Sequence, residues 1–220
     1  MILQKIKIPL IIFLLFLLSF TGYIYQYQKI VNQGSYLADE HCIKVNPLII
    51  DRKNKYQEQW NLILASASAT QVEDSVNKYF QASNAFIKEE QGWLANQKRY
   101  LNSKAFNLLM PSYIKEAANF QYQMYEADYN SSVYLNQGFK ETDKNKQAEL
   151  GNKVLEETVK SKEAEDKYNA VWEREKGKSD WVHYFIKVPQ TKCPKENFDF
   201  PNVFNPFVTP IPVNNDETKG

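Results

Sequence analysis

The chain has 220 residues, of which 43% are hydrophobic and 24% charged, and its formal net charge is +1. This length accommodates one sizeable domain beside a membrane anchor, and the composition excludes both a fully disordered and a wholly membrane-embedded protein. The low net charge gives no field to attract nucleic acid. Only three of the 27 basic residues are arginine, the side chain preferred for phosphate and base contacts, so we expect no nucleic-acid partner.

The N-terminal segment is apolar and uncharged over residues 8–28, and two lysines precede it. A helix over residues 8–25 would span about 27 Å, close to the roughly 30 Å of bilayer hydrocarbon. Lysines before a span favour a cytoplasmic N-terminus. The pattern predicts a signal-anchor over residues 1–29 that contacts the lipid bilayer through residues 8–28, with the bulk of the chain outside the cytoplasm. A cleaved signal peptide is the alternative, and it leaves the compartment unchanged.

Residues 30–46 are predicted to form a polar connector, which holds the first of two cysteines. Cys42 and Cys193 both follow the apolar segment, and in an oxidising compartment an even pair most simply forms a disulfide. Two alternatives stay open: two unrelated thiols, or a metal site completed by His41 and His183. The close Cys–Cys and His–His spacings of zinc sites are absent, so no metal and no cofactor are expected.

Residues 47–188 are predicted to form the ectodomain, an antiparallel bundle of about four helices, because apolar residues recur there at spacings of three and four. The predicted helices cover about residues 48–69, 70–108, 112–137 and 142–176. In the first of them, the residues predicted to face the core are Tyr56, Trp60, Ile63 and Leu64. Thr70 and Glu73 have the spacing of a capping box at the start of the second.

Charged residues on these helices are predicted to be solvated. The fourth helix carries a ladder of ion pairs with a coiled-coil-like apolar seam opposite, and the predicted pairs are Glu149–Lys153, Glu156–Lys160 and Glu163–Lys167. The acidic residues expected to lie in solvent on the middle helices are Glu89, Glu90, Glu126 and Asp128. No pattern among them indicates general acid–base chemistry.

The C-terminal residues 189–220 contain six prolines with phenylalanines between them, which excludes a helix and predicts an extended arm. The preceding residues 181–188 have the aromatic and β-branched content of a strand or a packed extended segment. Since the arm is too apolar for a free tail, we expect it to lie against the bundle or to bind a protein partner.

No enzyme is indicated by this sequence. The seven glycines form no phosphate-binding loop, and no Glu-x-x-His pair typical of di-iron bundles occurs. Tyr122, Tyr125 and Tyr129 cluster on the third helix, where they would line a ligand pocket or, in the interpretation we favour, pack in the core with hydroxyls reaching water.

Two functions remain. The first is a membrane-anchored structural or protein-interaction module of the cell envelope, with an unknown protein partner. The second is an extracytoplasmic ligand-binding module, because the architecture resembles the four-helix sensor domains of bacterial receptors. A polar cavity inside the bundle would favour ligand binding, whereas a filled core would favour a structural role.

Overall fold

The computed structural model of the chain is all-α, as the sequence predicts. It describes residues 2–65, 68–176, 186–187 and 189–194, with side chains from residue 11 onward. The helices are α1 (Ile2–Lys44), α2 (Asn46–Leu64), α3 (Ala69–Leu101), α4 (Lys104–Leu109), α5 (Ser112–Lys140) and α6 (Lys144–Glu175). Val45 alone separates α1 from α2, and its N–H and carbonyl continue the helical hydrogen bonds on both sides. The two helices therefore form one long run.

This long run contains the apolar N-terminal segment. Within the described residues, one stretch, Ile11–Leu64, is long enough and locally apolar enough to cross a membrane. The side chains from Ile11 to Leu18 are between 39% and 68% exposed, so nothing in the described part of the chain covers them.

Helix α3 returns along α1 in the opposite direction. The indole Nε1 of Trp93 donates to the carbonyl of Leu37 at 2.8 Å. Further along α3, the hydroxyl of Tyr100 donates to the carbonyl of Ile30 at 3.2 Å. Because the residue numbers rise on α3 as they fall on α1, the two helices are antiparallel.

Helices α5 and α6 form the second antiparallel pair. Glu116 near the start of α5 pairs with Arg174 near the end of α6 at 2.7 Å. At mid-height, the amide of Asn130 donates to Glu157 at 3.4 Å. The buried hydroxyl of Ser83 on α3 donates to an amide oxygen on α5, which joins the two pairs into a helical bundle.

Residues 30–46 are not a polar connector. Most of this segment is helical, and its buried positions recur at helical spacing: Ile30, Val31, Gly34, Ser35, Leu37, Ala38, His41, Cys42, Val45 and Asn46. Small and polar residues occupy several of these positions, which hid the apolar stripe in the sequence. The segment belongs to the core of the bundle, so α1 passes from the apolar N-terminal stretch directly into the bundle.

Two local predictions for α3 need correction. The capping box is formed by Ser68 and Gln71, whose side chains each accept the backbone N–H of the other residue at 3.4 and 3.1 Å. It is not formed by Thr70 and Glu73. The helix also ends at Leu101 rather than near residue 108, and the short α4 follows it.

The far end of α2 is exposed, contrary to the prediction. Its exposed large side chains are Tyr56, Trp60, Ile63 and Leu64. At this height α2 packs mainly on α3, so only one narrow side of it is covered. In this part of α2, from residue 51 to residue 64, Gln59 is the one buried residue.

The exposed face of α6 carries part of the predicted ion-pair ladder. The predicted pairs present there are Glu149–Lys153 and Glu163–Lys167, at 2.7 and 3.9 Å. Lys160 pairs at 2.7 Å with Glu157, a buried side chain on the side of α6 that faces α5. The middle pair therefore uses Glu157 instead of Glu156. Each exposed pair stabilises the helix by only about 0.3–0.5 kcal/mol.

The described part of the C-terminal arm lies along α1. The backbone N–H of Lys187 donates to the side chain of Gln28 at 2.9 Å, and the amide of Gln28 donates back to the Lys187 carbonyl at 2.6 Å. Further along, the hydroxyl of Thr191 donates to Asp39 at 2.7 Å. The arm thus follows α1 in the same direction. Most of residues 181–188 and all of 195–220 lie outside the described residues.

Candidate functional site

A partly open cavity of about 190 Å³ lies between helices of the bundle, and both apolar and charged side chains line it. Its lining residues are Asn46, Ile49, Arg52, Phe86, Glu90, Met124, Tyr125, Asp128, Ser161 and Glu165. At about 30 Å³ of liquid volume per water molecule, it has room for about six waters or a small organic molecule. We call it the bundle cavity.

Four helices contribute to the bundle cavity, each through one face. On α2 the lining residues Asn46, Ile49 and Arg52 follow one another at intervals of three. On α3, Glu90 lies four residues beyond Phe86. Residues at these spacings share one side of a helix. Helices α5 and α6 supply the remaining wall in the same way, so ordinary helix periodicity aims all ten side chains at one space.

Arg52 is the one cationic side chain among the lining residues. Its guanidinium lies 4.2 Å from the centre of the Phe86 ring, and it donates a hydrogen bond to the hydroxyl of Ser132. None of the ion pairs in the described part of the chain includes Arg52 or Asp128. Burial lowers the pKa of Arg52, while the negative field of nearby acidic groups opposes the shift. An arginine without a carboxylate partner inside a bundle needs a polar environment to hold its charge.

Asp128 faces the same cavity from α5. Burial raises the pKa of its carboxyl above the ordinary value of 3.8, and the negative charges of Glu90 and Glu165 add to the effect. A hydrogen bond with Ser161 and the positive charge of Arg52 act in the opposite direction. The ionised carboxylate is therefore only partly compensated by the protein.

Glu90 connects the cavity wall to α1. Its Oε2 lies 3.1 Å from Nε2 of His41, and the two side chains are 1% and 3% exposed. The distance is that of an ion pair, but the approach lies outside hydrogen-bonding geometry, and His41 Nδ1 has no protein hydrogen-bond partner among the described residues.

Aromatic rings enclose this histidine. The ring of His41 lies 4.5 Å from that of Trp93 and 4.4 Å from that of Tyr125. Tyr125 is itself a lining residue, so the imidazole and the cavity share one wall. The ring of Tyr125 therefore connects the cavity directly to a side chain of α1.

The predicted disulfide is present. Cys42 on α1 and Cys193 on the C-terminal arm are bonded, with 5.6 Å between their Cα atoms. His41 turns away from this bond towards Glu90, so it does not join the cysteines in a metal site. Among the described residues, no three His, Cys, Asp or Glu side chains converge closely enough to hold a metal ion.

The three predicted tyrosines are not equivalent. Tyr125 lines the bundle cavity, and burial raises the pKa of its hydroxyl. Tyr122 instead donates to Glu126 at 2.6 Å, four residues along the same helix. Tyr129 packs against the apolar cluster around Val45 and Phe86. Tyr122 and Tyr125 pack against the same apolar cluster as Tyr129, and a ligand pocket at these tyrosines stays a prediction.

The acidic lining residues were assigned to solvent on the sequence, and for Glu90 that assignment is wrong, since it is 1% exposed. A signal was present, because Glu90 lies within the buried stripe of α3 between Phe86 and Trp93. Asp128 likewise lies four residues after Met124, in line with the inward face of α5. Arg52 had no distinguishing pattern beyond being one of three arginines.

Comparison with known proteins gives no further guide to this site. No family model, no curated protein and no solved structure matches the chain.

Proposed function

We propose that this chain is a single-pass membrane protein whose helical bundle lies outside the cytoplasm and binds a small polar ligand. The exposed apolar side chains from Ile11 to Leu18 support the anchor, since lipid solvates them at far lower free energy than water does. The Cys42–Cys193 disulfide supports the compartment, because such bonds persist in oxidising environments. Lysines before the apolar stretch favour a cytoplasmic N-terminus.

The orientation is testable with protease added to intact cells. With one epitope tag at each end of the chain, the C-terminal tag should be lost, whereas an N-terminal tag should stay until the membrane is opened. A cytosolic marker protein serves as the control for cell integrity. Protection of both tags in intact cells would contradict the orientation.

The bundle cavity carries the ligand-binding part of the proposal. A purely structural bundle is expected to fill its interior with apolar side chains at close packing. Here about 190 Å³ lies beside an arginine and an aspartate that form no ion pair in the described part of the chain. Concave sites with a few convergent polar groups and shifted pKa values are typical of ligand pockets.

The connection to α1 favours a sensor-like role. Glu90 lies in the cavity wall and contacts His41 on α1, the same helix that contains the apolar N-terminal stretch. A ligand that moves or neutralises Glu90 changes the interactions of α1 directly. Such a ligand shifts the position of α1 only if it binds one position of the helix more tightly than another, and the shift is limited by that difference in affinity.

Filling the cavity tests the function. In full-length protein in detergent micelles, we expect at least one compound from a library of polar metabolites to raise the unfolding temperature. Ser161→Leu should abolish that shift, because the larger leucine side chain occupies space in the cavity. Thr158→Leu places the same side chain on the exposed face of the same helix and should preserve the shift. A shift retained in Ser161→Leu, or no shift with any compound, would reject ligand binding.

A structural or protein-interaction module of the cell envelope is the second candidate function. The exposed apolar side chains at the end of α2 favour it, since they give the bundle a surface suited to a protein contact. The same variants separate the two functions. If the bundle is a structural module, the Ser161→Leu variant should associate with its protein partner as well as the unmodified protein does.

A further inference from the structure

The lining of the bundle cavity is negatively charged overall. Three carboxyl groups, those of Glu90, Asp128 and Glu165, face a single guanidinium. A ligand that carries positive charge improves this balance, whereas an anion makes it worse. The low dielectric inside a bundle makes the difference larger than it would be at the protein surface.

The single lining cation is already engaged with the protein. The guanidinium of Arg52 stacks on Phe86 and donates to Ser132, whose hydroxyl in turn donates to the carbonyl of Asp128 at 2.8 Å. Stacking and hydrogen bonding hold Arg52 against the wall. Its remaining donors are the one feature that favours an anion.

The carboxyl groups are less completely engaged. Asp128 forms a hydrogen bond with Ser161 but no ion pair in the described part of the chain. Glu90 is 1% exposed and lines the cavity, and the neighbour of its Oε2 is Nε2 of His41 at 3.1 Å, outside hydrogen-bonding geometry. Glu165 is paired with Lys162 at 2.9 Å on the exposed side of α6. Asp128 and Glu90 therefore have a hydroxyl and an imidazole as neighbours, and neither forms a salt bridge with a lysine or arginine of the described residues.

The remaining lining residues match an organic body rather than a bare ion. Ile49, Met124 and the rings of Phe86 and Tyr125 supply apolar surface. The acidic groups do not converge closely enough to hold a metal ion. An engineered cavity of about 150 Å³ holds benzene, so the bundle cavity accommodates a molecule of roughly that size.

We propose that the bundle cavity binds a small organic amine, whose ammonium group lies between Glu90 and Asp128 and whose alkyl part packs on Ile49, Met124 and Tyr125. This inference rests on the proposed ligand-binding function and specifies the chemical class of the ligand. Each carboxylate accepts several hydrogen bonds, so an ammonium group supplies donors beyond the Ser161 hydroxyl at Asp128 and the His41 imidazole at Glu90.

Three probes of equal chain length test the charge requirement. Putrescine, butanediol and succinate share one carbon skeleton and differ in being cationic, neutral and anionic. With full-length protein in detergent micelles, titration calorimetry should show saturable binding of putrescine and none of the other two. Preferential binding of succinate, or binding of butanediol equal to that of putrescine, would overturn the amine while leaving a ligand-binding cavity in place.

A matched pair of variants locates the binding. Asp128→Asn keeps the shape of the side chain and removes its charge, and it should weaken putrescine binding by about tenfold or more. Asp74→Asn is the control, since that carboxylate is exposed and pairs with Lys78 on the outside of α3 at 2.7 Å. It should leave the affinity unchanged, and circular dichroism checks that both variants are helical.

The outcomes separate the two levels of the proposal. If Asp128→Asn binds putrescine as tightly as the unmodified protein does, putrescine does not bind beside Asp128 and the inference is overturned. Failure of all three probes would also overturn it. The proposed function would then be decided separately by the metabolite library and the Ser161→Leu variant.

Discussion

Removing the disulfide is expected to lower the free energy of unfolding by up to about 5 kcal/mol. The bond joins residues separated by 151 positions, and loop-closure entropy for a chain of that length gives roughly this value. Replacing Cys42 and Cys193 together by alanine avoids placing a hydroxyl at position 42, which is fully buried. Urea denaturation of the full chain in detergent micelles, followed by circular dichroism, measures the change.

Reduction of the unmodified protein provides the matched control. Its unfolding midpoint under reducing conditions should approach that of the double variant, which should itself be insensitive to the reductant. Identical midpoints for the oxidised and reduced unmodified protein would show that the bond contributes nothing to stability.

Replacing Trp93 by alanine is expected to destabilise the bundle by about 3–5 kcal/mol. The side chain is 5% exposed, and its ring packs on those of His41 and Tyr125. The variant leaves a cavity between α1, α3 and α5 and also removes the hydrogen bond to the Leu37 carbonyl. The same denaturation experiment measures the loss.

Trp93→Phe separates packing from hydrogen bonding. It keeps an aromatic ring and loses the indole donor, so we expect a smaller loss of about 1–2 kcal/mol. A Trp93→Ala variant as stable as the unmodified protein would mean that α3 does not pack on α1 as described.

The two changes act on the same level of the bundle. Cys42 follows His41 directly, and His41 contacts both Trp93 and Glu90. The disulfide, the aromatic rings and the buried His41–Glu90 contact therefore hold the end of α1 in one place beside the bundle cavity. A fixed wall lowers the conformational entropy that a ligand must lose on binding.

The sequence was sufficient for features that depend on local spacing or on composition. Apolar residues at intervals of three and four predicted the long helices, because a helix buries one stripe whatever its neighbours are. The two cysteines predicted their own bond, since no other cysteine competes with them. The apolar N-terminal stretch was equally evident from composition alone.

Only the tertiary structure decided which helix faces meet. Residues 30–46 looked polar because their buried stripe contains serine, histidine and cysteine, and burial follows from the packing of α3 and the arm against α1. The aromatic stripe at the end of α2 stays largely exposed, although the ring of Tyr56 lies 5.9 Å from that of Tyr79 on α3. Helix periodicity shows that such stripes exist, but it cannot show whether a partner covers them.

The bundle cavity belongs to this second group. Arg52, Glu90 and Asp128 lie on three helices and are far apart in the chain, so no spacing in the sequence links them. As isolated residues they resemble the solvated charges that most helices carry. Their burial, and the chemistry that it implies, follow from long-range packing that local patterns do not encode.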